Sequence, residues 1–205
     1  MAYSNFDLET VKSKFKLELV RVKEIFADAE EIEPTHLLKE NLKENVPLAL
    51  AIHTEKARSE LIVSPILVEV RRRLDHQISL FSGTEFNVDR ERNLNGVCDF
   101  IVSLSPEQLT ITAPIINVVE AKNDNVKSGI PQCIAEMVAA QLFNEKHDNR
   151  VETVYGVVTT GSNWLFMRLT GNRIEIDLNE YYLSQIDKIL GILISVIEDA
   201  LAKQK

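Results

Sequence analysis

Three residues stand out by type and spacing: Asp99, Glu120 and Lys122. Asp99 lies inside the apolar run GVCDFIVS, and Glu120 and Lys122 close the run IINVVEAKND. Short runs rich in Val and Ile and bounded by turn residues predict β-strands. Strand side chains alternate with period two, so Glu120 and Lys122 share one face while Val119 and Ala121 take the other. By the same rule Asp99 shares a face with Val97 and Ile101. Ionised carboxylates are costly to bury unless they are paired or bind a metal. A divalent cation between Asp99 and Glu120, with Lys122 beside its bound water, accounts for both acids. The chemistry expected of such a set is metal-assisted hydrolysis.

The pattern D-x(20)-E-x-K across two strands resembles the PD-(D/E)xK nuclease superfamily, carried here by Asp99, Glu120 and Lys122 over roughly residues 60–164. One departure is Cys98, where a proline often precedes the aspartate. The resemblance implies a metal-dependent phosphodiesterase using Mg²⁺ or Mn²⁺, with Asp99 and Glu120 as ligands, the Ala121 carbonyl as a third, and Lys122 orienting water or stabilising charge on the phosphorus. It also implies a glutamate on the helix before the first core strand. Glu60 matches that place, Glu69 is the second candidate, and the plain alternative for each is a solvated helix residue. A glutamine after the E-x-K, pointing back at the site, is Gln132. The extended pattern Q-x-x-x-Y is not matched, because its fourth place holds Glu136.

The elements that must position these residues follow from periodicity. Residues 7–29 begin with a short helix, while Phe15 to Ile25 fits a helix or a strand equally. Thr35 caps a helix from His36 to about Asn45, with Pro47 interrupting. Thr54 to Phe81 is the longest helical pattern, kinked or divided at Pro65 and ended by Gly83. It carries Arg71, Arg72 and Arg73, a dense basic cluster that is either a solvated face or, at Arg72 and Arg73, a phosphate contact. Strands are expected at Thr84–Val88, Leu94–Leu104 and Pro114–Lys122, with Leu109–Thr112 extending the hairpin. Asn123 to Gly129 reads as a polar turn with Lys127 solvated or on a phosphate. A helix follows from about Pro131 to Lys146. Val151–Thr159, Trp164–Leu169 and Ile174–Leu178 read as strands joined by turns, with Trp164 packed. An amphipathic helix from about Asn179 to Ala202 ends the pattern and is expected to cover a sheet face or a partner, which admits a homodimer through it.

This order predicts an α/β or α+β sheet with helices on both sides. The resemblance sharpens it to a restriction-endonuclease-like mixed central sheet, extended by extra C-terminal strands and a C-terminal helix. We expect a single domain over 1–205, with 1–53 an N-terminal helical and strand extension and 54–205 the nuclease-like core.

The totals narrow the function classes. At 205 residues, 45% hydrophobic and 26% charged, the chain has an ordinary globular composition with enough length for a real core. No apolar run is long enough to span a bilayer, and MAYSNFDLETVK has no apolar signal-peptide core. Two cysteines, Cys98 and Cys133, fit buried thiols in a reducing cytoplasm. The net charge of −8 argues against a general nucleic-acid coat protein. Phosphate-cradling motifs and a nucleophile elbow are absent, and the four histidines show no ligand spacing. Three readings follow: a nuclease acting on nucleic acid, DNA ahead of RNA; a nuclease-fold binding or assembly module without strong catalysis; and a structural α/β protein in which Glu120–Lys122 is an ordinary ion pair.

Overall fold

The computed structural model describes residues 2–149 and 151–204. Its centre is a seven-stranded mixed sheet in the order β1-β7-β6-β5-β4-β3-β2. The strands are β1 (Glu18–Val22), β2 (Ser79–Glu85), β3 (Val97–Ser103), β4 (Ile115–Ala121), β5 (Thr153–Thr159), β6 (Asn163–Thr170) and β7 (Arg173–Tyr182). Two neighbouring pairs, β1 with β7 and β4 with β5, run parallel, and the others antiparallel. The parallel β4–β5 pair requires a crossover, which α5 (Val126–Lys146) supplies. Strand β1, from the expected N-terminal extension, bonds β7 and forms one edge of the sheet.

Both faces are covered. One carries α2 (His36–Ile52), α4 (Ser64–Arg73) and α6 (Ile186–Ala202), with Ile66, Leu190 and Leu193 packed on Phe100, Val119 and Trp164. The other carries α1 (Leu8–Phe15) and α5, with Val11, Ile134 and Met137 packed on Ile101, Val118 and Met167. The apolar stripe of α6 is therefore spent inside the chain: Ile189, Leu190, Leu193 and Ile197 are all buried. Of the two coverings expected for that stripe, a sheet face or a partner, the sheet face is the one observed. Trp164 is fully buried and its indole N–H donates to the Gly161 carbonyl at 3.2 Å.

Several boundaries differ from the sequence expectation. Helix α2 runs through Pro47 to Ile52 rather than stopping near Asn45. The long helical pattern ends at Arg73, not Gly83, which lies inside β2. Pro65 does not break that pattern. Instead α3 (Glu55–Arg58) passes through a π turn at Ser59–Val63 into α4, and Pro65 takes the start of α4, where its missing N–H costs least. Helix α5 begins at Val126, five residues before Pro131, because Asn125 caps it by accepting from the Lys127 amide at 2.9 Å. The expected polar turn is therefore helical from Val126 onward. Leu109–Thr112 forms no strand. Strand β7 extends to Tyr182, so α6 starts at Ile186 rather than near Asn179.

Candidate functional site

Two elements carry most of the site, and both are held tightly. Strand β4 is buried along its whole length. Helix α5 is clamped to its start by Asn144, whose amide donates to the Ile115 carbonyl and accepts from the Ile115 N–H, each at 2.7 Å. The helix also lies close on β5. A Cβ at Gly156 would come within 2.3 Å of Met137 Sδ and 3.0 Å of Cys133 Sγ, so a larger residue there would make these side chains shift. The register of β3 on β4, with Phe100 opposite Val119, brings Asp99 beside the end of β4. Its Oδ2 accepts from the Ala121 N–H at 2.8 Å.

At this end the acids meet. Glu120 and Glu136 are both fully buried. The ammonium of Lys122 donates to Glu120 Oε1 and lies 3.9 Å from Glu55 Oε2. Gln132 Nε2 donates to Glu136 Oε1 at 3.2 Å. The second oxygens, Glu120 Oε2 and Glu136 Oε2, are buried and receive no N–H or hydroxyl donor, and the two carboxyls lie close enough to share a proton. The stem of Lys122 is laid against α5 at Gly129. A Cβ there would stand 3.1 Å from Lys122 Cγ, 3.2 Å from its Cε and 2.6 Å from Val158 Cγ1. The backbone N–H of Lys122 donates to the Thr159 carbonyl at 2.8 Å, which fixes the exit of β4.

The electrostatics follow from this packing. Burial pushes the Glu120 carboxyl up to about 8; Asp99 adds to the shift and Lys122 opposes it. Burial and then Glu120 drive Glu136 well above the usual carboxylate range, against the hydrogen bond from Gln132. Asp99 is raised by burial, against the Ala121 N–H and Lys122. Burial alone pulls the Lys122 ammonium down, but Glu120, with Glu55 and Asp99 behind it, holds it above the ordinary lysine value. Glu120 and Asp99, with the exposed Glu55, thus bear on one ammonium, and Glu136 is buried behind Glu120, a balance that protons or a cation must correct. Cys98 and Cys133 are free, buried thiols pushed up by burial, so neither is a ready nucleophile.

Of the residues singled out by sequence, Asp99, Ala121, Glu120, Lys122 and Gln132 come together here. Glu60 does not. It is exposed and paired with Lys56 at 3.3 Å. The helix carboxyl that reaches the cluster is Glu55, five residues earlier. Its helix is seated by Arg58, whose guanidinium donates to the Thr160 carbonyl at 3.0 Å and Ser162 Oγ at 3.2 Å. Glu69 is buried elsewhere, bonded to Thr35, Arg72 and Arg73. Arg72 and Arg73 are bonded to Glu69 and stand apart from the cluster. Lys127 is exposed on the first turn of α5, next to the site's helix but outside the cluster. Reasoning from sequence missed Glu55, Gly129 and Glu136. The signal for Glu136 was its place four residues after Gln132, one helical turn on the same face.

Hard oxygen donors of this kind suit Mg²⁺ or Mn²⁺, and the Asp99 and Glu120 carboxylates are where such an ion would find ligands. No three of the His, Cys, Asp and Glu side chains stand as a ready-made ligand set among the described residues. The Lys122–Glu120 contact occupies part of the space, so a cation entering here has to open it. No family model, no curated protein and no solved structure matches this chain. No helix among the described residues is long and apolar enough to cross a membrane.

Proposed function

We propose that this chain is a metal-dependent phosphodiesterase of the restriction-endonuclease-like class, acting on nucleic acid, DNA first, in the cytoplasm. One observation carries the reading: Asp99, Glu120 and Lys122 converge at the end of two adjacent strands, with a buried carboxylate oxygen of Glu120 that receives no N–H or hydroxyl donor. The element order supports the fold assignment. Helix α3–α4 precedes the antiparallel β2–β3–β4, and α5 then crosses to β5 parallel to β4. Strands β6 and β7, helix α6 and strand β1 extend that core.

Hydrolysis of a phosphodiester adds water across one P–O bond. The water oxygen bonds to phosphorus, and the leaving oxygen departs with a proton. A bound Mg²⁺ or Mn²⁺ supplies Lewis acidity to the phosphoryl oxygen and lowers the pKa of water. The chain's own residues do the rest. Asp99, locked by the Ala121 N–H, and Glu120, held on the rigid β4, would hold the ion. Released from Glu120, Lys122 offers an ammonium to the negative charge that builds on the phosphoryl oxygens. Glu55 lies within reach of that ammonium and, with Gln132, orients its surroundings.

The test is turnover of labelled single- and double-stranded DNA and RNA with Mg²⁺ or Mn²⁺. Cleavage is expected in wild type and is lost in Lys122→Ala by about 10²–10³ in rate, with fold and metal binding retained. Asp99→Asn should instead weaken the metal. A binding or assembly module on the same fold is the second reading. The net charge of −8 and the Lys122–Glu120 contact favour it. It gains if wild type binds a cation yet cuts nothing in the panel.

A further inference from the structure

We propose that Tyr182 forms a base-stacking subsite for single-stranded nucleic acid beside the candidate site; this rests on the phosphodiesterase reading of that site and narrows its substrate to a strand with unpaired bases. The register of the sheet places the residue. Ala121 on β4 lies opposite Thr159, Thr159 opposite Trp164, and Trp164 opposite Tyr181 on β7. Strand β5 is parallel to β4, and β6 is antiparallel to both β5 and β7, so β4 and β7 run the same way. Lys122 and Tyr182 are each one residue further along, past the same end of the sheet. Tyr181 packs into the core beneath α6, and strand side chains alternate, so Tyr182 takes the face that carries α5. Lys122, laid against Gly129 of α5, takes that face too. Three strand spacings separate the two residues, about 14 Å.

Tyr182 and Leu178 are each 56% exposed, and the period of two puts both on this face with Glu180 between them. They border an open hollow of about 420 Å³, whose wall also includes Asn179, Tyr181 and Gln185. The Tyr182 N–H donates to Gln185 Oε1 at 3.1 Å, which fixes the backbone that carries the ring.

The chemistry of the hollow selects a base rather than a phosphate. None of its described lining residues is a lysine or arginine, and one is a carboxylate, Glu180, which accepts from Asn163 Nδ2 at 2.8 Å. A phosphate would meet like charge there. A nucleobase is flat and uncharged, stacks on an exposed aromatic ring whatever its identity, and offers an edge to the side-chain amides of Asn179 and Gln185. Bases in a duplex are already stacked on their neighbours, whereas those of a single strand are free to splay onto such a ring. Lys122 then meets a phosphate while Tyr182 holds a base further along the same strand.

The experiment is fluorescence anisotropy of the full chain, in chelator and in CaCl₂, with a labelled poly-dT strand and a strand of the same length made of abasic nucleotides. Wild type should bind poly-dT about tenfold more tightly than the abasic strand, Tyr182→Phe should keep that preference, and Tyr182→Ala should lose it. The dependence of binding on salt should be the same in all three, because phosphate contacts are untouched; a variant that merely disturbs the fold weakens both strands alike. Irradiation of wild type with a strand carrying 5-iodouracil should crosslink Tyr182, a readout that needs no variant to fold. Crosslinks confined to other residues, or Tyr182→Ala equal to wild type on both strands, overturn the proposal. If wild type shows no preference for bases yet cuts nucleic acid in the turnover panel, the subsite falls and the phosphodiesterase reading stands. A wild type that neither binds nor cuts any strand overturns both.

Discussion

Two buried glutamate clusters sit in one chain and are solved in opposite ways. Glu69 on α4 is fully buried, and both its oxygens are met: Arg73 at 2.9 Å, Arg72, the Thr35 N–H at 3.2 Å and its hydroxyl at 3.0 Å. Burial pushes its carboxyl up, but the bonds from Arg73, Thr35 and Arg72 outweigh that and hold it below the usual value. Glu120 and Glu136 are as deeply buried, yet each leaves one oxygen without an N–H or hydroxyl donor, and their carboxyls are held above the usual value. A carboxylate whose charge is answered by arginine is architecture, here tying α4 to the start of α2. A carboxylate whose charge goes unanswered is either protonated or waiting for a cation. Both lie in the interior of the same molecule, so burial alone does not separate structure from function. What separates them is whether the partner atoms are present.

The comparison breaks most visibly at Glu69. Replacing Glu69 with Gln leaves two guanidinium groups and Thr35 short of an acceptor. Removing one partner of a fully buried pair costs about 3–5 kcal/mol. Because Arg72 and Arg73 are partly exposed and can turn to water, about 2–3 kcal/mol is the better expectation here. For a chain of this size that is a fall of roughly 4–10 °C in melting temperature. Glu120→Gln should cost far less in cation-free protein. Near neutral pH the raised Glu120 carboxyl is largely protonated, so one neutral group replaces another and stability should change by no more than about 1 kcal/mol. Calorimetric melting of both variants checks the contrast. Equal losses would mean that Glu120 is as well compensated as Glu69.

Titration should separate the clusters next. The Glu120 carboxyl is raised from its ordinary 4.5 to about 8 by burial and by Asp99. The folded protein then holds that proton more firmly than the unfolded chain. The resulting stabilisation is complete below about pH 4.5 and is lost as pH rises through about 8. Glu69 has the opposite sign. Its contribution is present above its ordinary value of 4.5 and is lost as pH falls through its lower folded value. Cation-free wild type should therefore melt lower at about pH 9 than at about pH 6, and Glu120→Gln should flatten that slope. Excess CaCl₂ should flatten it too, since a bound cation replaces the proton. Melting scans across pH with chelator and with CaCl₂ measure both effects. An unchanged slope in Glu120→Gln would show that the titration comes from elsewhere.

How much of this was legible in the chain depends on the kind of signal. Asp99, Glu120 and Lys122 were legible because period-two alternation in apolar strands leaves a charged residue nowhere to hide. Gln132 followed from the resemblance, and the Cys98 and Cys133 thiols from apolar context. The π turn at Ser59–Val63 was not legible, because Pro65 announces a lost hydrogen bond without saying how the backbone will absorb it. The early start of α5 hid behind Pro131, which looked like a first-turn residue although Asn125 was the cap. Arg72 and Arg73 read as a basic surface because their partner Glu69 is three and four residues back, and that spacing is equally common on solvated helices. Glu136 was read only as a mismatch to a motif; its closeness to Glu120 exists only once α5 is docked on β4.

The smallest effect is expected where the sequence and the fold disagree most directly, on the helix before β2. Sequence context favoured Glu60, whose neighbours Ala57, Leu61 and Val63 are apolar. In the folded chain the π turn adds a residue to the helical ladder between Glu60 and α4, and Glu60 points outward to Lys56. Glu55, also exposed, stands 3.9 Å from the Lys122 ammonium. An i,i+4 pair on a helix surface is worth about 0.3–0.5 kcal/mol. Glu60→Gln should therefore change stability by no more than that and leave Ca²⁺ affinity unchanged. Glu55→Gln should cost little stability for the same reason of exposure. Its effect belongs at the site: Lys122 loses one of two carboxylates that hold it, and Ca²⁺ affinity should fall about tenfold, the size typical of a supporting partner. Calorimetry with CaCl₂ on the two variants side by side measures the difference. If Glu60→Gln weakens binding and Glu55→Gln does not, the helix is rotated relative to the arrangement described, and the apolar context around Glu60 was the better guide.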